Sequence, residues 1–213
     1  MKKFILLYIL FLILVSNTNA QLIKEPRGFI KFGMGYFLDV SRFFDNDYVD
    51  GITGLKNDKT AGGKSIWIEG GYKLPNKIII SANIMFASAR YKYIDIVYLG
   101  ASRLVVHQNY ALNFSYEFNQ KTKHKFTPGI GFLYNRIDIS RASYSLLSDN
   151  GQYYINNPEI IDGYDEQLGI NLNLDYYYQF KNNFFMGARV NTIYLISIGL
   201  EGFVFSPVLG VKF

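Results

Sequence analysis

The chain has 213 residues, of which 49% are hydrophobic and 17% aromatic, with a formal net charge of +5 and no cysteine. The lack of cysteine excludes a lipid-modified cysteine anchor, disulfides and thiolate metal sites. Lys2 and Lys3 contribute two of the positive charges, and the remaining +3 is too small and scattered to indicate nucleic-acid binding.

The first twenty residues have the pattern of a secretory signal peptide. Lys2 and Lys3 precede an apolar run of twelve residues, 4–15, which is shorter than the roughly 20 residues that a membrane-spanning helix needs. We expect cleavage after Ala20, so that residues 1–20 form the signal peptide and residues 21–213 form one domain. A membrane anchor is the alternative.

Alternating apolar and polar residues predict four strands in the first half of this domain. A period of two indicates a β-strand, because successive strand side chains point to opposite faces. Pro75 begins a tight turn, since proline cannot continue a strand ladder. Longer polar connections fall at 39–63 and 90–102. The four predicted strands are 29–38, 65–74, 78–89 and 104–118.

A fifth strand begins near Lys125, and strand-like sequence continues to about Leu147. Asn150 and Gly151 then predict a type I′ hairpin turn. This pattern predicts a hairpin that projects above the membrane within the connection at 140–165.

The sixth strand, at 167–180, gives the clearest signal, because its apolar and polar residues alternate over fourteen positions. Strands in soluble domains usually have about 5–6 residues, whereas a bilayer-spanning strand needs roughly 9–11. This length therefore favours a transmembrane strand. Two further strands are predicted at 184–196 and 202–213.

The connections alternate in length, as in barrels of the outer membrane. Short turns fall at 75–77, 119–123 and 181–183, whereas the other connections are mostly long. Lipid also demands closure, because an open sheet edge leaves backbone groups without hydrogen bonds. We predict an all-β fold, an eight-stranded antiparallel up-and-down transmembrane β-barrel with short periplasmic turns and long extracellular loops. A soluble lipocalin-like barrel, with its apolar face inward, is the alternative.

Charged residues fall on the predicted inner face. An eight-stranded barrel is just wide enough to be filled by its own side chains, so charges sealed inside it must pair. We hypothesise that Arg189 and Lys73 bridge Glu69, Glu117 and Asp175. Such a network either holds the barrel closed or lines a narrow polar channel. The predicted inward charges are Lys31, Glu69, Lys73, Glu117, Asp175, Arg189 and Lys212.

The two histidines do not favour catalysis. Lipid hydrolysis or acyl transfer needs a nucleophile, a base and an orienting group at one membrane depth. His107 is predicted to point inward beside Asn109, and no serine stands two residues after it to act as the nucleophile. His124 is predicted to lie in a periplasmic turn. We predict no enzyme, no catalytic residue, no metal site and no cofactor, and keep a lipid-modifying enzyme as a further alternative.

Two loop features leave alternatives open. Asp45, Asp47 and Asp50 miss the calcium-loop spacing by one position, so they form either a solvated acidic loop or a divalent-ion site. A second group of residues either packs one protruding hairpin or contacts a partner. That group comprises Tyr144, Tyr153, Tyr154 and Tyr164.

The last five residues, 209–213, alternate apolar and small or polar residues and end in Phe213. They resemble the C-terminal signal of outer-membrane barrels, which the insertion machinery reads, with Val211 and Phe213 as the recognised residues. Gly210 lies nearer the end than in the commonest form. Residues 21–213 as a whole resemble the small outer-membrane β-barrel proteins of Gram-negative bacteria, of the OmpA/OmpX and PorT-like kind.

This resemblance implies an integral protein of the outer membrane with both termini periplasmic. It implies contact with outer-membrane lipid and lipopolysaccharide and with the insertion machinery. The role expected is structural or surface-interacting, with the lumen closed by side chains and a possible extracellular partner at 39–63 and 140–165. A narrow porin-like channel for passive transport of small solutes is the alternative.

Overall fold

The computed structural model describes residues 27–41, 60–92, 102–118, 122–149, 152–180 and 183–213. The predicted signal peptide, the aspartates at 45–50 and the turn residues Asn150 and Gly151 lie outside these ranges. Among the described residues, no helix is long and apolar enough to cross a membrane. The described strands are β1 (Gly28–Asp39), β2 (Ala61–Lys73), β3 (Ile78–Lys92), β4 (Ser102–Tyr116), β5 (His124–Asp149), β6 (Gln152–Gln179), β7 (Phe184–Leu195) and β8 (Gly199–Lys212).

The strands form one closed barrel, in which each strand pairs antiparallel with the next and β8 returns to β1. The two ends of the domain meet at this seam. The Gly28 amide donates to the Phe213 carbonyl at 2.9 Å, and the Phe213 amide donates to the Gly28 carbonyl at 2.8 Å. The predicted eight-stranded, antiparallel, up-and-down barrel is confirmed.

The connection predicted at 140–165 is mostly β-strand. β5 and β6 have 26 and 28 residues, and they pair as far as Asp149 and Gln152. Most of the segment is therefore strand, and it forms the hairpin that the sequence predicted at its tip. The connection at 39–63 is also shorter than predicted, because Asp39 still belongs to β1 and Ala61 already begins β2.

The outer face of the barrel is apolar. Phe132, Ile196 and Met34 have between 66% and 70% of their surface exposed, and the exposed residues recur at every second position of the strands. Charged residues such as Lys31, Glu69 and Arg189 instead lie inside. This distribution is the reverse of a lipocalin-like barrel, whose apolar face points inward, and it is that of a barrel surrounded by lipid.

Candidate functional site

The interior side chains lie in layers along the barrel axis, and β1 shows their order. From the end that holds both termini, its inward residues run from Phe29 and Lys31 to Phe37 and Asp39. Lys31 and Asp39 carry the charges of this series, and the apolar side chain of Phe37 lies between them. The barrel interior is therefore the candidate functional site among the described residues.

Four charged residues form the central charge cluster, defined as Lys31, Glu69, Asp175 and Arg189. Arg189 donates from Nε to Asp175 Oδ1 at 2.5 Å and from Nη1 to Glu69 Oε2 at 2.6 Å. Lys31 Nζ lies 2.9 Å from Glu69 Oε1 and 2.6 Å from Asp175 Oδ2. All four are buried. Two cations and two carboxylates therefore neutralise each other inside the barrel.

The Arg189 guanidinium is also held by an aromatic ring. Its Cζ lies 4.1 Å from the centre of the Trp67 ring, at cation–π distance. Trp67 is fixed in turn, because its Nε1 donates to Ser206 Oγ at 2.8 Å. Strands β2, β7 and β8 thus combine to fix the orientation of one side chain.

A second group, the Glu117 cluster, lies at the mouth that holds the termini. Lys73 Nζ lies 2.8 Å from Glu117 Oε1, and Lys212 Nζ lies 3.5 Å from Oε2. Lys125 Nζ is 3.9 Å from Oε1, and the Tyr177 hydroxyl donates to Oε2 at 2.5 Å. A cavity of about 20 Å³ lies beside these residues, which is room for about one water molecule.

The structure places all of the predicted inward charges inside, but it groups them differently from the hypothesis. Arg189 bridges Asp175 and Glu69, as drawn from the sequence, whereas Lys73 pairs with Glu117. Within the described residues the charges therefore form two clusters instead of one network. Lys31 supplies the second cation of the central cluster.

Amides fill the layer beside the central charge cluster. The Asn171 Nδ2 donates to Asn113 Oδ1 at 2.9 Å, across the strand that lies between them. Gly131 of β5 makes this possible, because a Cβ there would lie 2.1 Å from Asn113 Oδ1 and 2.2 Å from Asn171 Oδ1. A glycine is needed at this point so that two side chains can meet over its backbone.

Apolar side chains fill the next layer, which we call the apolar plug. It is defined as six buried residues, none of them more than 3% exposed, and they come from five strands. All six belong to one hydrophobic cluster of buried residues. The apolar plug comprises Phe37, Met85, Leu133, Ile193, Leu195 and Val204.

Beyond the plug lies a third polar group, the carboxylate–histidine cluster, defined as Asp39, His107 and Glu201. His107 Nε2 lies 3.6 Å from Glu201 Oε1 and 3.9 Å from Asp39 Oδ2. One ligand atom from each residue falls within 4.8 Å of the others, an arrangement that could hold a metal ion. All three side chains are buried.

Sequence reasoning missed several of these residues for different reasons. Lys125 and Tyr177 lie on inward positions of strands that were predicted, so strand parity alone could have found them. Asp39 and Glu201 fall in segments that the sequence predicts as connections between strands. No signal in the sequence marks Glu201, because its orientation depends on a β-bulge between β7 and β8.

The remaining candidates lie on the outside. His124 is exposed, and its Nδ1 lies 2.6 Å from the Tyr176 hydroxyl. Tyr164 is exposed, and the Arg136 guanidinium lies 4.7 Å from the centre of its ring. The side chains of Tyr144, Tyr153 and Tyr154 lie outside the part of the chain that the structure describes. Phe213 lies on the outer rim, 58% exposed.

No protein-family model and no curated protein sequence matches the chain. Solved structures do resemble it. Neisserial surface protein A is 14% identical, over 87% of this chain and 97% of that one, with a TM-score of 0.48. The outer membrane protein OprG from Pseudomonas aeruginosa is 10% identical, over 89% and 97%, with a TM-score of 0.49. The attachment invasion locus protein Ail of Yersinia pestis is 14% identical, over 89% and 99%, with a TM-score of 0.47.

At these identities the likeness concerns the fold alone. The fold itself is set out by the strand pairing of this chain, which closes eight antiparallel strands in sequence order. An apolar outer face surrounds an interior with charged residues at both ends. The described residues have the fold of a closed, eight-stranded, antiparallel, up-and-down β-barrel with the apolar outer face of a membrane barrel.

Proposed function

We propose that the protein is an integral outer-membrane barrel with a structural or surface-interaction role, whose lumen is closed by its own side chains. The observation that carries the proposal is the reversed distribution of polarity. Apolar side chains cover the outside, whereas paired charges, amides and the apolar plug fill the inside. Contact with outer-membrane lipid and lipopolysaccharide follows from the outer face. The role is non-enzymatic.

The proposed orientation places both termini in the periplasm. The end that holds Gly28 and Phe213 also carries the short connections 74–77, 117–123 and 180–183. Outer-membrane barrels have short turns on the periplasmic side and longer segments outside. The β5–β6 hairpin projects from the opposite end and would reach the cell exterior.

The hairpin leaves the apolar belt beyond Tyr134 and Leu168, where its outer face becomes polar. Arg136 Nε lies 2.9 Å from Asp138 Oδ1, and Ser140 donates to Asp162. The ladder from Arg136 to Asp149 extends about 40 Å along the strand. This hairpin is the part of the described chain best placed to meet an extracellular partner.

The orientation can be tested with protease on intact cells. We expect cleavage within 141–161 before the outer membrane is permeabilised, with the rest of the barrel protected until then. Mass analysis of the fragments locates the cut. Cleavage of the hairpin only after permeabilisation would reverse the proposed orientation.

The closed lumen separates the proposed role from a narrow porin-like channel. The apolar plug lies across the path, and the central charge cluster is neutral and buried. An ion crossing this lumen would have to displace paired side chains in a water-poor interior, which costs several kcal/mol per charge.

Planar-bilayer conductance of the refolded mature protein tests closure. We expect no discrete openings from barrels whose insertion is verified by heat-modifiable electrophoretic mobility and protease protection. Reproducible openings of the wild-type protein would establish the channel alternative. If the openings changed ion selectivity in an Arg189→Ala variant, the current would be shown to pass the central charge cluster.

We further propose that Val211 and Phe213 form the signal read by the insertion machinery. Phe213 is exposed at the rim and its backbone closes the β1–β8 seam. Its ring is therefore available to another protein while the barrel is assembling.

A further inference from the structure

We propose that Asp39, His107 and Glu201 bind a divalent transition-metal ion inside the barrel, at the end away from the termini. The three residues come from β1, β4 and β8, so the site exists only in the closed barrel. An imidazole nitrogen with two carboxylates is a ligand set that suits ions such as Zn²⁺. The proposal does not depend on the role of the barrel as a whole.

The spacing of the ligand atoms fits one ion better than direct hydrogen bonds. His107 Nε2 lies 3.6 Å and 3.9 Å from the two carboxylate oxygens, beyond the usual 2.7–3.2 Å of an N–H···O hydrogen bond. Ligands of tetrahedral zinc lie about 2.0–2.2 Å from the ion, which places them roughly 3.3–3.5 Å apart. The two distances from His107 Nε2 exceed this spacing by a few tenths of an ångström, and the ligand atoms of all three residues lie within 4.8 Å of one another.

His107 supplies the independent sign of a ligand. It is completely buried, and its Nε2 has no hydrogen-bond partner among the residues that the structure describes. Such a nitrogen is costly to leave without a partner in a dry interior. Because Nε2 is directed between two carboxylates, a cation at that point would satisfy it.

The surrounding groups orient the ligands. Asp39 Oδ1 accepts hydrogen bonds from the Ser41 amide at 3.0 Å and from the Ser41 hydroxyl at 2.7 Å, which leaves Oδ2 facing His107. The Phe37 ring packs edge-on against the imidazole at 5.0 Å. Asn135 Nδ2 lies 3.4 Å from His107 Nδ1, and Asn135 Oδ1 has no hydrogen-bond partner among the described residues. Turning the amide over would let Oδ1 accept the Nδ1 proton and leave the Nε2 lone pair for a metal.

A β-bulge turns Glu201 into the site. Ile193 pairs with Gly202 and Tyr194 pairs with Leu200, so that Glu201 is the extra residue of β8. Both Glu201 and Gly202 are buried. Without the bulge, the alternation along β8 would direct Glu201 to the outer face. Bulges of this kind often re-aim a side chain next to a functional site.

Isothermal titration of Zn²⁺ into the full mature protein, refolded in detergent without an affinity tag, is the direct test. We expect one ion per barrel for the wild type and at least a tenfold loss of affinity for His107→Gln. The chain has two histidines, so His124→Gln removes the exposed imidazole and is the matched control. That variant should bind as the wild type does.

Folding defects are separated from loss of ligands by two measurements. Heat-modifiable mobility reports whether each variant forms the barrel, and the isosteric variants Asp39→Asn and Glu201→Gln replace single ligand oxygens if His107→Gln does not fold. Zn²⁺ should raise the melting temperature of the wild type and of His124→Gln. It should leave the melting temperature of a ligand variant unchanged.

Three results would overturn the proposal. One is the lack of saturable Zn²⁺ binding to the folded wild type. Another is binding that survives His107→Gln, which would place the ion elsewhere, for example among Asp45, Asp47 and Asp50. The third is equal binding of Mg²⁺ and Zn²⁺, since a site built on imidazole should prefer Zn²⁺.

Discussion

Arg189 shows how one residue can satisfy several buried charges at once. Its planar guanidinium pairs with Asp175 through two nitrogens and with Glu69 through a third, while Trp67 covers its face. A lysine cannot reproduce this geometry, because it carries a single compact charge. Lys31 completes the neutralisation from the other side.

We expect Arg189→Ala to lower the free energy of unfolding by about 3–5 kcal/mol, because it leaves two buried carboxylates with only one cation. Urea unfolding in detergent micelles, followed by tryptophan fluorescence, measures the change at Trp67. Arg189→Lys should recover part of the loss.

Arg136→Ala is the matched control for this prediction. Arg136 pairs with Asp138 on the outer face of the hairpin, where solvent screens the interaction, and its loss should leave the unfolding midpoint unchanged. An Arg189→Ala barrel as stable as the wild type would exclude a stabilising role for the central charge cluster.

At the scale of the elements, β5 separates β4 from β6, and asparagine side chains of those two strands meet inside the barrel. Gly131 lets Asn113 of β4 meet Asn171 of β6 across it. On its outer face the same strand presents apolar residues such as Phe132. The strand thus carries a glycine on its inner face and large apolar side chains on its outer face, because an eight-stranded barrel has little interior space.

We expect Gly131→Ala to destabilise the barrel by about 1–3 kcal/mol, because the added methyl group overpacks the amide layer. Gly163→Ala is the matched control, since a Cβ there meets no atom within 4 Å. Thermal unfolding of the two variants in the same micelles gives the comparison. Equal melting temperatures would show that the amide layer can rearrange without cost.

The bulge in β8 is an element-scale feature with a residue-scale effect. It shifts the alternation by one position near the start of β8, so Glu201 points inward beside Asp39. The carboxylate–histidine cluster therefore depends on the register between β7 and β8 and on three strands that are distant in sequence.

At the scale of the whole molecule, the seam between β1 and β8 decides whether a barrel forms. Closure requires the two ends of the described barrel to pair, as Gly28 and Phe213 do. The last strand must therefore pair before the barrel lies in lipid, because an open sheet edge leaves backbone groups without hydrogen bonds.

We expect Phe213→Ala to reduce the amount of barrel assembled in the outer membrane of cells, while refolding of the purified protein in detergent is little changed. Phe184→Ala is the matched control, because Phe184 is a similarly exposed ring near the same rim. Heat-modifiable mobility of membrane fractions measures assembly. Equal assembly of the two variants would argue against a terminal insertion signal.

The sequence by itself determined the strand count, the inward and outward faces and the inward position of Lys31, Glu69 and Arg189. These properties follow from a period of two in the sequence, which can be recognised within a single stretch of about ten residues. The same local pattern also predicted that β5 continues to about Leu147, longer than a bilayer requires.

Only the tertiary structure decided which charges pair, because partners such as Lys31 and Asp175 are 144 residues apart. The separation of the Glu117 cluster from the central charge cluster depends on the stagger between strands, which no local pattern encodes. The cluster of Asp39, His107 and Glu201 likewise required barrel closure and a bulge. Local periodicity specifies faces, whereas closure and register specify neighbours.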